Sequence, residues 1–215
     1  MLRLPPDIIT IVFGLLPTDE RTCLLTDRHE FSDALVQLSN AVIASMPPGA
    51  IQSLFYSLCI IGGIQQLEVL ISTGAAGLHD ARFENCRSLC SAAMYGHTRI
   101  VQLLLGLGLT RENVQTCAAL RLACANGYAE VVQHLLATGI TADDVRANKC
   151  LALQFACEKG NVGIVKSLLA LGLTVKDIKK ATSPRSLGIV WVIVHPELVT
   201  LLRDLGMRNE DFVIV

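Results

Sequence analysis

"ALRLACANGYAEVVQHLLATGITADDV", residues 119–145, is followed by "ALQFACEKGNVGIVKSLLALGLTVKDI", residues 152–178, with Gly127 and Gly160, and Gly139 and Gly172, in register. Two copies of one sentence mean either a shared chemistry or a shared stacking problem. Glycines end apolar runs at Gly74, Gly108, Gly139, Gly172 and Gly206, with spacings of 34, 31, 33 and 34 residues. A second series, Gly62, Gly96, Gly127 and Gly160, keeps the same rhythm, and Val194 takes the fifth place. Periods in this range mark an array in which no unit buries its own apolar face and each needs a neighbour.

Between the two glycines of each copy the apolar residues fall at i, i+1, i+4 and i+5, one face of a helix. They are Ile100, Val101, Leu104 and Leu105; Val131, Val132, Leu135 and Leu136; and Ile164, Val165, Leu168 and Leu169. A second helix of small residues precedes the first glycine: "SLCSAAMYG", "ALRLACANG" and "ALQFACEKG". Small side chains let helices approach closely, and the glycine supplies a left-handed cap. Each unit is therefore a helix-turn-helix. The connectors repeat too, as "GLTRENV", "GITADDV" and "GLTVKDI", and Thr141/Asp144 and Thr174/Asp177 have the spacing of an N-terminal capping box. Each connector is expected to begin a short helical turn.

The bulk numbers agree with a repeat array and argue against other classes. The 215-residue chain has net charge −1 with 17% charged residues, so nothing draws it to nucleic acid or to a membrane surface. Lys176, Lys179, Lys180 and Arg185 form a basic cluster that reads as a solvated turn, since a nucleic-acid footprint is a broad basic face. Mean hydropathy is +0.49, yet the most apolar stretch, "SLGIVWVIVHPELVTLL" from Ser186, is broken by His195, Pro196 and Glu197. No membrane span and no secretory leader are expected, which points to the cytoplasm. Of the eight cysteines, Cys59, Cys124 and Cys157 share one repeat position and Cys86, Cys117 and Cys150 another. That pattern predicts small buried residues in a reducing compartment, with no disulfide, metal or other cofactor.

The stretch "SLCSAAMYGHTRIVQLLLGLGL" from Ser88 resembles the ankyrin repeat, usually written TPLHxAAxxGHxxVVxLLLxxGA. The likeness covers residues 50 to 210 and is strongest from Asn85 to Thr174. It implies an all-α ankyrin solenoid of about five units, near 50–78, 85–112, 116–144, 149–177 and 184–210, within an array spanning 47–215. His97 takes the family's Gly-His position, filled by Tyr128, Asn161 and His195 elsewhere, and reads as a turn residue. The usual finger residues are missing, so the connectors are not expected to form β-hairpin fingers. The Gly-Leu-Thr-x-x-Asp-Val connectors are similar in style to ankyrin proteins of large DNA viruses and their protist hosts. The end units are atypical, as caps should be: Gln66 stands where others carry Ile or Val, and Arg203 replaces Leu105, Leu136 and Leu169.

Residues 1–46 do not fit the period. "LPPDIITIVFGLLPTDERTCLLTDRHEFSDAL" from Leu4 resembles the F-box, with its Leu-Pro-Pro-acid opening and with Phe31 where that family carries Trp. Thr26, Asp27 and Arg28 also depart from the pattern. The likeness implies docking on a Skp-type adaptor of a cullin-RING ubiquitin ligase through Leu4, Pro5, Ile8, Ile9, Val12, Phe13 and Leu16. A helical cap over the first repeat accounts for the same residues, and both readings stay open.

Catalysis is not expected. There is no phosphate loop, His-Glu-x-x-His or Cys-x-x-Cys. The one conceivable nucleophile pair, Cys90 and His97, occupies repeat-framework positions with no orienting third group. A repeat array binds instead, through helix-1 residues that vary between copies. Those are Ser91, Met94 and Tyr95; Leu122, Ala125 and Asn126; and Phe155, Glu158 and Lys159. The expected function is a protein-protein interaction module. Two forms of it stand: an adaptor that recruits substrates to a ubiquitin ligase, or a stand-alone binding protein that sequesters its partner.

Overall fold

A computed structural model describes residues 46–116, 118–181 and 195–208. Residues 1–45, which hold the seven proposed docking residues, lie outside them, as do Cys117, Arg185, the first half of the fifth unit and residues 209–215. The described residues are helices and turns, with no strand. The first unit pairs α1 (Pro48–Ile61) with α2 (Ile64–Ser72). Then come α3 (Leu78–Met94) and α4 (Thr98–Gly106), the short connector α5 (Arg111–Thr116), and α6 (Ala119–Asn126) with α7 (Ala129–Leu136). Connector α8 (Ala142–Ala147), α9 (Leu151–Glu158), α10 (Val162–Ala170), connector α11 (Val175–Ala181) and α12 (Pro196–Asp204) complete the series.

The predicted apolar stripes form the core. Ile100, Val101 and Leu104, Val131, Val132 and Leu135, and Ile164, Val165 and Leu168 are buried, while the i+5 members Leu105, Leu136 and Leu169 are half-buried and pack against them. Leu198, Val199 and Leu202 of the last unit are buried too. On the helix-1 side, Ala92, Ala123 and Ala156 have no exposed surface, nor have Cys59, Ala93, Cys124 and Cys157 one position further on. These small residues let α1, α3, α6 and α9 stack more closely than α4, α7 and α10 do. An array whose one row is packed tighter than the other bends toward the tighter row, so the helix-1 face lies on the inside of the curve. None of the six described cysteines is in a disulfide. Burial pushes the thiols of Cys59, Cys124 and Cys157 up to about 12, which keeps them protonated and poorly nucleophilic.

Each turn residue reaches back over the preceding unit. The His97 ring lies over Gly62, and its Nε2 is 3.0 Å from the carbonyl of Ile60. Asn161 lies over Gly127 and donates from Nδ2 to the Cys124 carbonyl at 3.4 Å, while Tyr128 and His195 lie against Gly96 and Gly160. The glycines are needed because their φ is positive and because a β-carbon would meet the neighbouring ring or amide. His97 is thus a stacking residue, as its position in the repeat predicts.

The connectors are helical because their capping boxes close. The backbone and hydroxyl of Thr141 both donate to Asp144 Oδ2, at 2.8 and 2.9 Å, and Thr174 treats Asp177 identically. Thr110 and Gly77 start the earlier connectors on Asn113 and Asp80. Such boxes satisfy amides that the first helical turn leaves open.

A contact between units builds on them. Arg111 forks onto Asp144, with Nε at 2.9 Å from Oδ2 and a terminal nitrogen at 2.8 Å from Oδ1. Arg146 does the same to Asp177, with both bonds at 3.1 Å, and also bonds the Gly172 carbonyl. The fork of Arg111 holds the Asp144 carboxyl well below the usual carboxylate range, helped by Thr141 and opposed by burial. Arg146 and Thr174 do this for Asp177.

A depressed carboxylate stabilises above its unfolded pKa of about 4, and that contribution is lost as pH falls through the lower folded value. Acidification from about pH 5 to about pH 2 is therefore expected to destabilise the array. The share per carboxylate is on the order of 1 kcal/mol, once solvent around the guanidinium partners is allowed for. The double variant Asp144→Asn/Asp177→Asn should be less stable at neutral pH and show a flatter decline in urea midpoint over that range. An unchanged slope would mean the forks do not matter to stability.

The join from connector to helix 1 is less regular. α3 is two helices meeting at a break, where Glu84, Asn85 and Cys86 take φ of 47, 57 and 57°. Lys149 and Cys150, at φ 54 and 53°, make the equivalent turn before α9. Left-handed non-glycine residues cost roughly 1–2 kcal/mol each. Here the turn reverses the chain and drives the thiols of Cys86 and Cys150 into the core.

Candidate partner-binding face

The inner face is built by rows of equivalent helix-1 positions. Tyr56, Cys90, Arg121 and Gln154 form one row, and Ile60, Met94, Ala125 and Glu158 form a second, one turn further along. Residues four apart share a helix face, so the two rows adjoin. Ile61, Tyr95, Asn126 and Lys159 stand at the helix ends beside them.

The variable residues singled out from sequence do not all reach this surface. Met94, Asn126 and Lys159 are exposed, and Tyr95, Ala125 and Glu158 half-buried. Leu122 and Phe155 are half-buried, with Asn126 donating to the Leu122 carbonyl at 2.9 Å. Ser91, at the same repeat position, is buried. That position lies about 100° round the helix from the outward row, toward the core. A serine fits entirely within the slot, whereas leucine and phenylalanine extend partly out of it.

The row of Tyr56, Cys90, Arg121 and Gln154 was missed, as were Ile60 and Ile61. Its three later members stand at the fourth position of the repeat segment, which reads as framework in a sequence alignment of the copies. Their varied chemistry (aromatic, thiol, cation, amide) was the available signal.

The face changes character along its length. At the first two units it is apolar: Ile61 is 42% exposed and Met94 41%, next to half-buried Tyr56, Ile60 and Tyr95. Arg87 sits over the Tyr56 ring at 4.3 Å and pairs with Glu84 at 2.6 Å. Further along it is polar, with Gln154 donating to Glu158 at 2.8 Å. Among the described residues no cluster of histidine, cysteine or acidic side chains is arranged to hold a metal ion. No helix of those residues is long and apolar enough to cross a membrane.

Stacked helix pairs, turn residues bridged over glycines and a row of helix-1 side chains outside the core define a helical-repeat solenoid, a class that binds through extended surfaces of the stack. The family model described as ankyrin repeats (3 copies) matches this chain over two overlapping ranges, residues 57–145 and 89–182. The chain belongs to the ankyrin-repeat proteins, and its array is a protein-protein interaction module. A search of curated proteins found no relative that matches it.

Proposed function

We propose that the chain is a non-enzymatic binding protein whose inner helix-1 face holds one partner protein. The observation that carries this reading is the exposure of Ile61 and Met94 beside Tyr56, Ile60 and Tyr95. Ile61 and Met94 hold large apolar surface in solvent beside partly packed neighbours, and such groups act as hot spots when a partner covers them. His97, the histidine of the conceivable nucleophile pair, already has its Nε2 at the Ile60 carbonyl.

A photo-crosslinking amino acid at Met94 should give a discrete adduct in cell extract, and Ile61→Asp should abolish it. The same probe at Gln102, exposed on the outer helix α4, should give none. Equal adducts from both positions would overturn the assignment.

A finer reading makes the chain a substrate-recruiting adaptor of a cullin-RING ubiquitin ligase. Its support is the F-box-like sequence of residues 1–46, with Leu4, Pro5, Ile8, Ile9, Val12, Phe13 and Leu16 as the docking set. Titration against a Skp-type adaptor, with Phe13→Asp alongside, separates it from the stand-alone binder. Saturable binding lost in the variant favours the adaptor, and absence of binding favours the binder.

A further inference from the structure

The inner face carries a charge pattern that differs from that of the whole chain. The chain has net charge −1. Helix α1 has no charged residue, and the helix-1 stretches 84–95, 119–126 and 151–159 carry three cations, Arg87, Arg121 and Lys159, against two carboxylates, Glu84 and Glu158. The outer helices α2, α4, α7 and α10 are balanced, with Glu68 and Glu130 against Arg99 and Lys166. The helix-1 side therefore has a small positive excess, in a chain whose net charge is negative.

Arg121 is the informative member. Arg87 already has Glu84 and the Tyr56 ring, and Glu158 is held by Gln154. Arg121 is half-buried in the middle of the row, and no ion pair or hydrogen bond joins it to any other described residue. Partial desolvation of a guanidinium with no compensating acceptor is unfavourable in the free protein. A carboxylate from outside would remove that cost, and the planar fork suits it in two-pronged fashion.

We infer that the inner face binds an acidic-apolar segment of a protein partner, its aliphatic or aromatic side chains on Tyr56, Ile60, Ile61 and Met94 and a carboxylate on Arg121. The inference rests on the proposed inner-face binding and names the chemistry of what is bound. Neighbouring helices of a stack lie roughly 8–10 Å apart, and an extended chain advances about 3.3 Å per residue. Arg121 is on α6, next to α3, so the acidic residue should follow or precede the apolar anchor by about three positions.

The test uses random linear peptides displayed against the intact chain. Enrichment of sequences with Asp or Glu about three residues from Leu, Ile, Phe or Trp is expected. Binding of an enriched peptide should weaken about tenfold or more in Arg121→Glu, and less in Arg121→Gln. Replacing the peptide's acidic residue by lysine should restore binding to Arg121→Glu, a rescue that mere misfolding of the variant would not allow.

Binding that is lost in Met94→Asp but indifferent to both Arg121 variants would overturn the acidic chemistry and leave inner-face binding intact. Indifference to Met94→Asp, Ile61→Asp and Arg121→Glu alike would overturn both. Enrichment with no acidic-apolar bias, or no enrichment, would overturn the inference.

Discussion

Leu135→Ala is expected to destabilise the array by about 3–5 kcal/mol. Leu135 has no exposed surface, and α7 packs against α4 and α10, in which Leu104 and Leu168 repeat the same position. The residue therefore serves its own unit and both neighbouring interfaces. Removing its isobutyl group loses transfer energy and leaves a cavity that close-packed helices collapse into only partly. A loss of this size is a large fraction of a typical domain's total stability.

Because stability in such an array is a sum of unit and nearest-neighbour terms, damage at a central interface also uncouples the two sides. Urea titration followed by circular dichroism should show a lower midpoint and a broader, less cooperative transition. Leu205→Ala, on a side chain 43% exposed, should shift the midpoint by no more than about 0.5 kcal/mol equivalent. Equal effects at the two sites would contradict the burial assigned to Leu135.

Gly96→Ala is expected to cost about 2–4 kcal/mol, from two causes that can be separated. Gly96 sits at φ +74°, where any side chain is strained, and a β-carbon would come within 2.5 Å of the Tyr128 ring. Gly139→Ala is the control for the backbone cause alone, because φ is +91° there and nothing lies near the added carbon. Thermal unfolding should place Gly96→Ala well below Gly139→Ala. Adding Tyr128→Ala to the first variant should recover the part due to overlap, leaving the part due to φ. Identical melting temperatures for the two glycine variants would show that Tyr128 does not bridge the units as described.

Much of this molecule was legible before any coordinates. The i, i+1 and i+4 positions of the predicted stripes are the helix-2 core, the i+5 leucines flank it half-buried, and the Thr-x-x-Asp connectors are capped helices in place of fingers. Cys59, Cys124 and Cys157 are buried with the alanines. These features are local, set by helical periodicity and by hydrogen bonds within three or four residues, and the repetition read each of them several times over.

Other features were not legible. The Arg111–Asp144 and Arg146–Asp177 forks join residues more than thirty apart, and the two arginines do not even share a repeat position. The left-handed turns at Glu84–Cys86 and Lys149–Cys150 carry no glycine to announce them.

By itself the sequence determined the class, an ankyrin array, and the identity of each unit's helices, because a period near 33 residues has one structural solution: stacking. Tertiary structure alone decided which helix-1 positions reach the surface. Ser91 varies between copies and is buried, while Arg121 stands in a framework row and is only half-buried on the inner face. Periodicity establishes that positions are equivalent, but the rotation of each helix about its axis is set by the helices packed on either side of it. That rotation is a property of the stack and not of any single repeat.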